Sequence, residues 1–300
     1  MPRLSLLLIN KKKISSIFVL FSLMLAAQNS RLIYEYTYRP DSTKADEVKS
    51  EWMFLDVGRN GSRYYSKSTF ENDSIINESI RKQMASGMKS VSVSRSSNGG
   101  EIGYEVEKAY PSYTSYLTTR IGNDRYKVLD DRKILWTILP DKMKVGEFSA
   151  QQATGSFAGR KWTAWFTNDV PLIDGPYKFS GLPGLIVLVS DETGSHRMEL
   201  RGIKKMASTS PQELNTQGKD IPFTNRKAVE VNRPQYAKLL KQYESDPVQG
   251  MREMMNRPDA KVKVNINGQE YSDPKEVLRA LEQAALEEIK KNNNKIELIP

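Results

Sequence analysis

Apolar and polar positions alternate with a period of two over much of the chain before residue 206. Leu32, Tyr34, Tyr36 and Tyr38 share one parity, and Ile33, Glu35 and Thr37 share the other. That pattern predicts a strand whose tyrosine face packs inward. Glu51 to Val57 and Arg63 to Phe70 follow as a pair joined around Gly58-Arg59-Asn60-Gly61, where Asn60-Gly61 is a hairpin signal. Six further strands are expected at 102–107, 114–121, 125–129, 134–139, 147–157 and 161–167. Turn chemistry separates them at Gly122-Asn123-Asp124, Pro140-Asp141 and Ala158-Gly159-Arg160. In the last of these, Trp162, Ala164 and Phe166 share a face and Trp165 lies on the other, which predicts a strand covered on both sides. His196, Met198 and Leu200 alternate with Arg197, Glu199 and Arg201, as in a half-exposed antiparallel strand.

Helical spacing appears in two regions. Ile76, Ile80, Met84 and Met88 recur every four residues over 72–88, with Asn72, Asp73 or Ser74 available as a cap. After a Ser-, Asn- and Gly-rich stretch at 90–100 and a polar stretch at 207–225 with Pro211 and Pro222, the last quarter changes character. Pro234 opens a helix bearing Tyr236, Leu239, Leu240 and Tyr243, and Asp246-Pro247 opens another bearing Val248, Met251, Met254 and Met255, the methionines reading as gap-fillers. Val262, Val264 and Ile266 form a strand face that ends at a hairpin turn, Asn267-Gly268. Asp273 caps a final helix with Pro274 at its first position, Glu276 three residues on, and an apolar face of Leu278, Leu281, Ala285 and Ile289. The expected class is α+β: a mainly antiparallel, curved meander with a few helices packed on it and a helix-rich C-terminal quarter. The expected division is a signal peptide at 1–27, a β-rich core at 28–206 with one helix near 72–88, a linker at 207–225, and a helical section at 226–300 with a short hairpin near 261–271.

One stretch punctuates this pattern: Asp174-Gly175-Pro176-Tyr177-Lys178-Phe179-Ser180-Gly181-Leu182-Pro183-Gly184-Leu185-Ile186-Val187-Leu188-Val189. Asp174-Gly175-Pro176 reads as a turn. Leu182-Pro183-Gly184-Leu185 places Pro at i+1 and Gly at i+2, the arrangement of a type II turn with positive φ at Gly184. The unbroken apolar run from Leu185 to Val189 predicts a strand buried on both faces.

Gly181-Leu182-Pro183-Gly184-Leu185-Ile186 resembles the motif of the GLPGLI family of Bacteroidetes envelope proteins, whose activity is not established. The approach, Trp162 to Thr167 and then Val170 to Phe179, is similar to that family too, as is the close at Asn294-Lys295-Ile296-Glu297-Leu298, with Lys295 where the family has Pro. The resemblance implies an envelope compartment and marks Trp165, Asp174, Gly175, Pro176, Gly181, Leu182, Pro183, Gly184, Leu185 and Ile186 as motif residues with a structural role. Many members of that family carry a cysteine pair flanking this block. Gln151 or Gln152 and Ser180 stand at the corresponding positions, so no bridge is carried over.

Composition narrows the remaining possibilities. The formal charge is +9, but Arg3, Lys11, Lys12 and Lys13 lie in an acid-free N-terminal segment, and residues 28–300 hold 41 basic and 36 acidic side chains, a net +5. A nucleic-acid footprint needs clustered Lys and Arg or a known module, and neither is present. Lys11-Lys12-Lys13 followed by the apolar 14–25 and Ala26-Ala27 reads as a secretory signal with the mature chain starting at Gln28, too short to span a membrane comfortably. The absence of cysteine excludes disulfides, a thiolate metal site and a lipid anchor on cysteine.

No catalytic signature stands out. His196 is the sole histidine and shares parity with Met198 and Leu200, a packing position rather than a triad position. Asp130-Asp131 reads as a solvated turn, and Asp169, Asp174 and Asp191 show no calcium-loop spacing. No residue is marked catalytic or metal-binding, and no cofactor is called for. The expectation is a non-enzymatic exported protein, periplasmic or associated peripherally with the outer membrane, that binds a hydrophobic ligand, a peptide or a membrane-protein partner. The alternative is an envelope hydrolase using paired carboxylates.

Overall fold

The structure is a computed structural model that describes residues 29–86, 100–122, 124–206, 228–256, 264–266 and 269–298. The expected signal peptide, the 207–225 linker, most of the 90–100 loop, Met88, Val262 and Asn267-Gly268 lie outside them.

Twelve strands form one open, mostly antiparallel sheet. The chain enters at the middle with β1 (Ser30–Tyr38) and steps outward through β2 (Lys49–Gly58), β3 (Gly61–Ser66), β4 (Glu105–Ala109), β5 (Thr114–Ile121) and β6 (Asp124–Asp130). It then crosses to the opposite edge, β7 (Thr137–Val145), and steps back inward through β8 (Phe148–Phe157), β9 (Arg160–Thr167), β10 (Leu185–Asp191) and β11 (His196–Lys205). β11 closes against β1. β12 (Val229–Asn232) adds in parallel to β6.

The crossing dictates curvature. β6 and β7 stand ten strand spacings apart in the sheet order, about 48 Å if the sheet were flat. Only residues 131–136 connect them, and seven Cα steps reach about 25 Å at most. The sheet must therefore curl so that its two ends approach each other, and the concave face becomes the core.

Register lays two rows of side chains across the first meander on that face. Leu32, Leu55, Tyr64, Val106, Leu117 and Val128 are successive cross-strand partners, and all are buried. The next row toward the sheet end is polar: Ser62, Lys108, Ser115 and Asp130 are again successive partners and again buried. Tyr34, Tyr36 and Tyr38 point inward as the alternation predicts. The opposite face carries ion pairs instead, among them Arg31 with Asp56 at 2.7 Å and Lys127 with Glu107 at 2.6 Å.

Helix α1 (Lys67–Ala85) begins earlier than the 72–88 reading because Ser66 Oγ accepts from the Thr69 N–H at 3.0 Å, capping it directly off β3. Asn72, Asp73 and Ser74 lie inside the helix. Ile76 is half-buried, and the side chains of Ile80 and Met84 lie outside the described residues. Pro140-Asp141 does not end a strand: β7 runs through it, absorbing both residues in a register shift between Ile138 and Lys142. An edge strand tolerates Pro because its outer N–H groups have no strand to pair with, and Gln151 Nε2 satisfies the Leu139 carbonyl at 2.7 Å.

Among the described residues three further helices follow β12. Helix α2 (Arg233–Ser245) starts with a reciprocal capping box between Asn232 and Gln235, and α3 (Gln249–Met255) follows it. Strands β13 (Val264–Ile266) and β14 (Gln269–Tyr271) pair with each other. Helix α4 (Pro274–Lys291) is capped by Asp273, whose carboxylate accepts from the Lys275 and Glu276 N–H groups. Val277 is its buried residue, and the Leu278, Leu281, Ala285 and Ile289 face is only half-buried.

Candidate functional site

The concave face is filled by the chain itself. Between β9 and β10 the segment from Asp174 to Gly184 folds into it. Phe179 sits at the centre, fully buried, with its ring 4.6 Å from that of Trp162 and 6.2 Å from that of Phe157. Trp136, in the crossing connection, donates its indole N–H to the Ser180 carbonyl at 2.9 Å. Leu182 is buried, Gly181 and Pro183 reach the surface, and β10 then runs buried from Leu185 to Val189. Trp165, on the other parity of β9, is half-buried opposite Leu188.

The turns within this segment differ from those expected. Positive φ falls at Tyr177 (53°) and Gly181 (94°), not at Gly184 or Gly175. Gly184 is required for a different reason: a Cβ there would lie 2.1 Å from the Thr167 carbonyl oxygen, because Leu185 pairs with Thr167 across the β9–β10 ladder. Gly175 is similarly pressed against Ile186, whose Cβ would be 2.8 Å away. Pro176 is buried and its carbonyl accepts from the Phe179 N–H at 3.1 Å.

Charge locks the segment to the sheet. Asp174 and Lys178 lie four residues apart, and they meet Lys108 and Asp130 of the buried polar row in matching order. Lys108 Nζ is 2.5 Å from Asp174 Oδ1, and Lys178 Nζ is 2.8 Å from Asp130 Oδ2. Tyr110 donates its hydroxyl to Asp174 Oδ2, and the Gly175 N–H donates to Asp174 Oδ1 at 2.7 Å. Burial lowers the Lys108 ammonium below its ordinary value, against the opposing pull of Asp174. Burial acts to raise Asp130, but Arg132 and Lys178 outweigh it and hold that carboxyl well below the usual range. Asp130 is thus no solvated turn residue, in contrast to the reading of Asp130-Asp131 above, because the curl of the sheet brings Lys178 over it.

The C-terminal tail joins the same network. Glu297 Oε1 accepts from Lys178 Nζ and from the Tyr177 hydroxyl, both at 2.5 Å, and Arg132 reaches Oε2 at 2.9 Å. Asn294 accepts from Arg160 at 2.7 Å, and the Leu298 N–H donates to the Ala158 carbonyl at 2.9 Å. The two stretches that carried the family resemblance, more than a hundred positions apart in the chain, are therefore in direct contact.

His196 is buried beside this tail. Its Nδ1 shares a 2.7 Å hydrogen bond with the Tyr36 hydroxyl. Asp191 accepts from the His196 backbone N–H at 2.8 Å, while its other oxygen holds Arg160 at 3.0 Å. Burial and then the Arg160 charge lower the imidazole to about 4. The acid next to His196 grips its backbone, so the geometry is not that of a triad. Among the described residues no group of three or more Asp, Glu or His side chains gathers to hold a metal ion, and no helix is long and apolar enough to cross a membrane.

An outward cleft of about 450 Å³ lies at the end of β1 and β2, lined by Tyr38, Lys49, Glu51, Trp52, Ser68 and Glu101 among others. Glu51 Oε2 accepts from the Glu101 and Ile102 N–H groups at 3.0 and 3.1 Å, and Ser66 donates to Oε1. Burial raises its carboxyl, with those bonds opposing. Both Glu101 oxygens meet Lys49 Nζ at 2.7 Å.

Residues 151–188, from β8 into β10 and including the whole Asp174–Ile186 segment, match a family model described as a protein of unknown function (Porph_ging). No curated protein matches the chain. Two solved structures of PNGF-II, in the C2 and P21 space groups, are each similar at 14% identity with a TM-score of 0.48, over 73% of this chain and 34% of theirs. The chain thus spans about a third of the length of that protein.

Lys108 is not singled out in the sequence; Asp130 reads there as a turn residue, and Lys178 and Glu297 only as members of the stretches that carry the resemblance. A signal for the first exists: Lys108 shares parity with Val106 in a strand whose other parity is acidic, so it is the charge on the apolar face.

Proposed function

We propose that this is a non-enzymatic exported envelope protein of the GLPGLI type, which binds a membrane-protein or peptide partner, or a hydrophobic ligand, on its exterior. One observation carries the reading. The concave face is closed by the chain's own residues, whereas Trp52, 45% exposed, stands at the outward cleft beside Tyr38. An exposed tryptophan at a cleft is the type of anchor that dominates binding energy. Lys49 and Glu101 supply a polar rim.

The test is capture from native envelopes with identification of bound proteins and lipids by mass spectrometry. Wild-type protein is expected to retain a specific partner and Trp52→Ala to lose it at unchanged melting temperature. Equal capture by both removes the cleft from the proposal. The hydrolase alternative has one observation in its favour, the buried Glu51 carboxyl a residue away from Trp52. Three donors already occupy Glu51 and Lys49 neutralises Glu101, which leaves neither poised as acid or base. A glycan- or ester-hydrolysing activity abolished by Glu101→Gln would reverse the preference.

A further inference from the structure

We propose that Lys108 and Asp174 become joined by an intramolecular amide bond, which ties β4 covalently to the segment that fills the sheet.

The geometry is that of a confined reaction site. Both side chains are 0% exposed, and Nζ lies 2.5 Å from Oδ1. Near-attack geometry places reacting atoms about 3–3.5 Å apart, and an amine this close to a carboxyl oxygen is within such reach of the carboxyl carbon. Two donors are aimed at the carboxyl oxygens, the Tyr110 hydroxyl at Oδ2 and the Gly175 N–H at Oδ1. Donors so placed stabilise the negative charge that develops on oxygen in a tetrahedral intermediate. The carbonyl oxygens of Gly175 at 2.5 Å and Phe179 at 3.4 Å hold the amine in place by accepting hydrogen bonds from its remaining N–H groups. Burial favours the neutral amine, which is the nucleophilic form.

The step balances without any further reactant. A proton passes within the pair from the ammonium to the carboxylate, leaving an amine and a carboxyl group. Nζ then forms a bond to Cγ, and the carboxyl π electrons move onto the oxygen held by a donor. A proton moves from nitrogen to the hydroxyl oxygen, the C–O bond breaks, and one water leaves as the amide forms. Nothing is oxidised or reduced.

Digestion of the folded, purified protein under denaturing conditions, followed by mass spectrometry, tests this. The expected product is one branched peptide that joins the Lys108 and Asp174 segments, lighter by one water than the two linear peptides together, with no tryptic cut after Lys108. Asp174→Asn is expected to give the identical branched peptide through loss of ammonia. Tyr110→Phe should lower the cross-linked fraction severalfold, and Lys108→Arg should give linear peptides only. Linear peptides alone from the wild-type protein, cut after Lys108, overturn the proposal and leave an ordinary buried ion pair. That reading needs no variant to fold, and it leaves partner capture by the Trp52 cleft untouched.

Discussion

Gly184 admits no side chain because the Thr167 carbonyl lies against its α-carbon. Gly184→Ala forces the β9–β10 ladder apart and should cost about 1–3 kcal/mol as overpacking. Leu188→Asp should cost more, about 3–5 kcal/mol, since it buries a charge whose cross-strand partner, Glu199, is itself acidic. Pro183 is exposed, and Pro183→Ala should cost only about 0.4–1 kcal/mol through the unfolded chain. Urea melts of the three variants check the order, and a Gly184→Ala protein as stable as the wild type would contradict the close approach. The Pro-Gly pair reads as a type II turn, whereas Gly184 is required for a close approach at ordinary φ. A dipeptide signals which φ values are easy, whereas a carbonyl two ångströms from a missing Cβ exists only once β9 and β10 are paired. His196 was legible as a packed residue from its parity alone. Its folded value of about 4 lies below the ordinary 6.5, so as pH falls the unfolded chain takes up the proton first. This contribution is intact above pH 6.5 and is lost as pH falls toward 4, by about 3 kcal/mol in all. His196→Gln should flatten that part of the stability–pH curve, and thermal melts of both proteins from pH 7 to pH 4 measure the difference.

Among the elements, the segment from Asp174 to Lys178 shows how a loop can be specified as strictly as a strand. Its acid and base meet a base and an acid two strands apart on the sheet, so a shift of the loop by one strand would set its charges over Ser62 or Ser115, and a shift by two would oppose like charges. Lys178→Met should cost about 3–5 kcal/mol, because it leaves the buried Asp130 and Glu297 with Arg132 as their shared cation. The deficit should shrink below about pH 4, where the depressed Asp130 carboxyl loses its advantage over the unfolded chain, whereas Lys178→Arg should retain most of the stability. Urea melts at pH 7 and about pH 2 distinguish this from a simple loss of packing, which would not depend on pH. Strand positions were largely legible, since alternation and turn residues are local: β5 begins and ends where the pattern places it. The start of α1 and the continuation of β7 were not, because Ser66 caps the helix from the end of a strand and Pro140 is tolerated only at a sheet edge. The pairing of Lys178 with Asp130 left no local trace, being a product of register and curl.

At the scale of the whole molecule, the short β6–β7 connection makes the two meanders halves of one core rather than neighbours. The first meander carries the apolar row from Leu32 to Val128 and the buried Lys108 and Asp130. Phe179, Asp174, Lys178 and Glu297, which meet them, all come from beyond residue 136, and only Arg132 on Asp130 is a local partner. A fragment ending at Arg132 would expose that row to water and leave Lys108 without its carboxylate. Residues 29–132 should therefore fail to fold alone, with collapsed amide dispersion in a proton–nitrogen spectrum and no cooperative melt. Mixed with a second fragment covering 133–298, they should regain dispersion and a single transition, since the connection itself contributes little beyond holding the halves together. A dispersed, cooperatively melting 29–132 fragment would show that the first meander closes its own core, and the buried charges of Lys108 and Asp130 would then need partners other than the segment that now meets them.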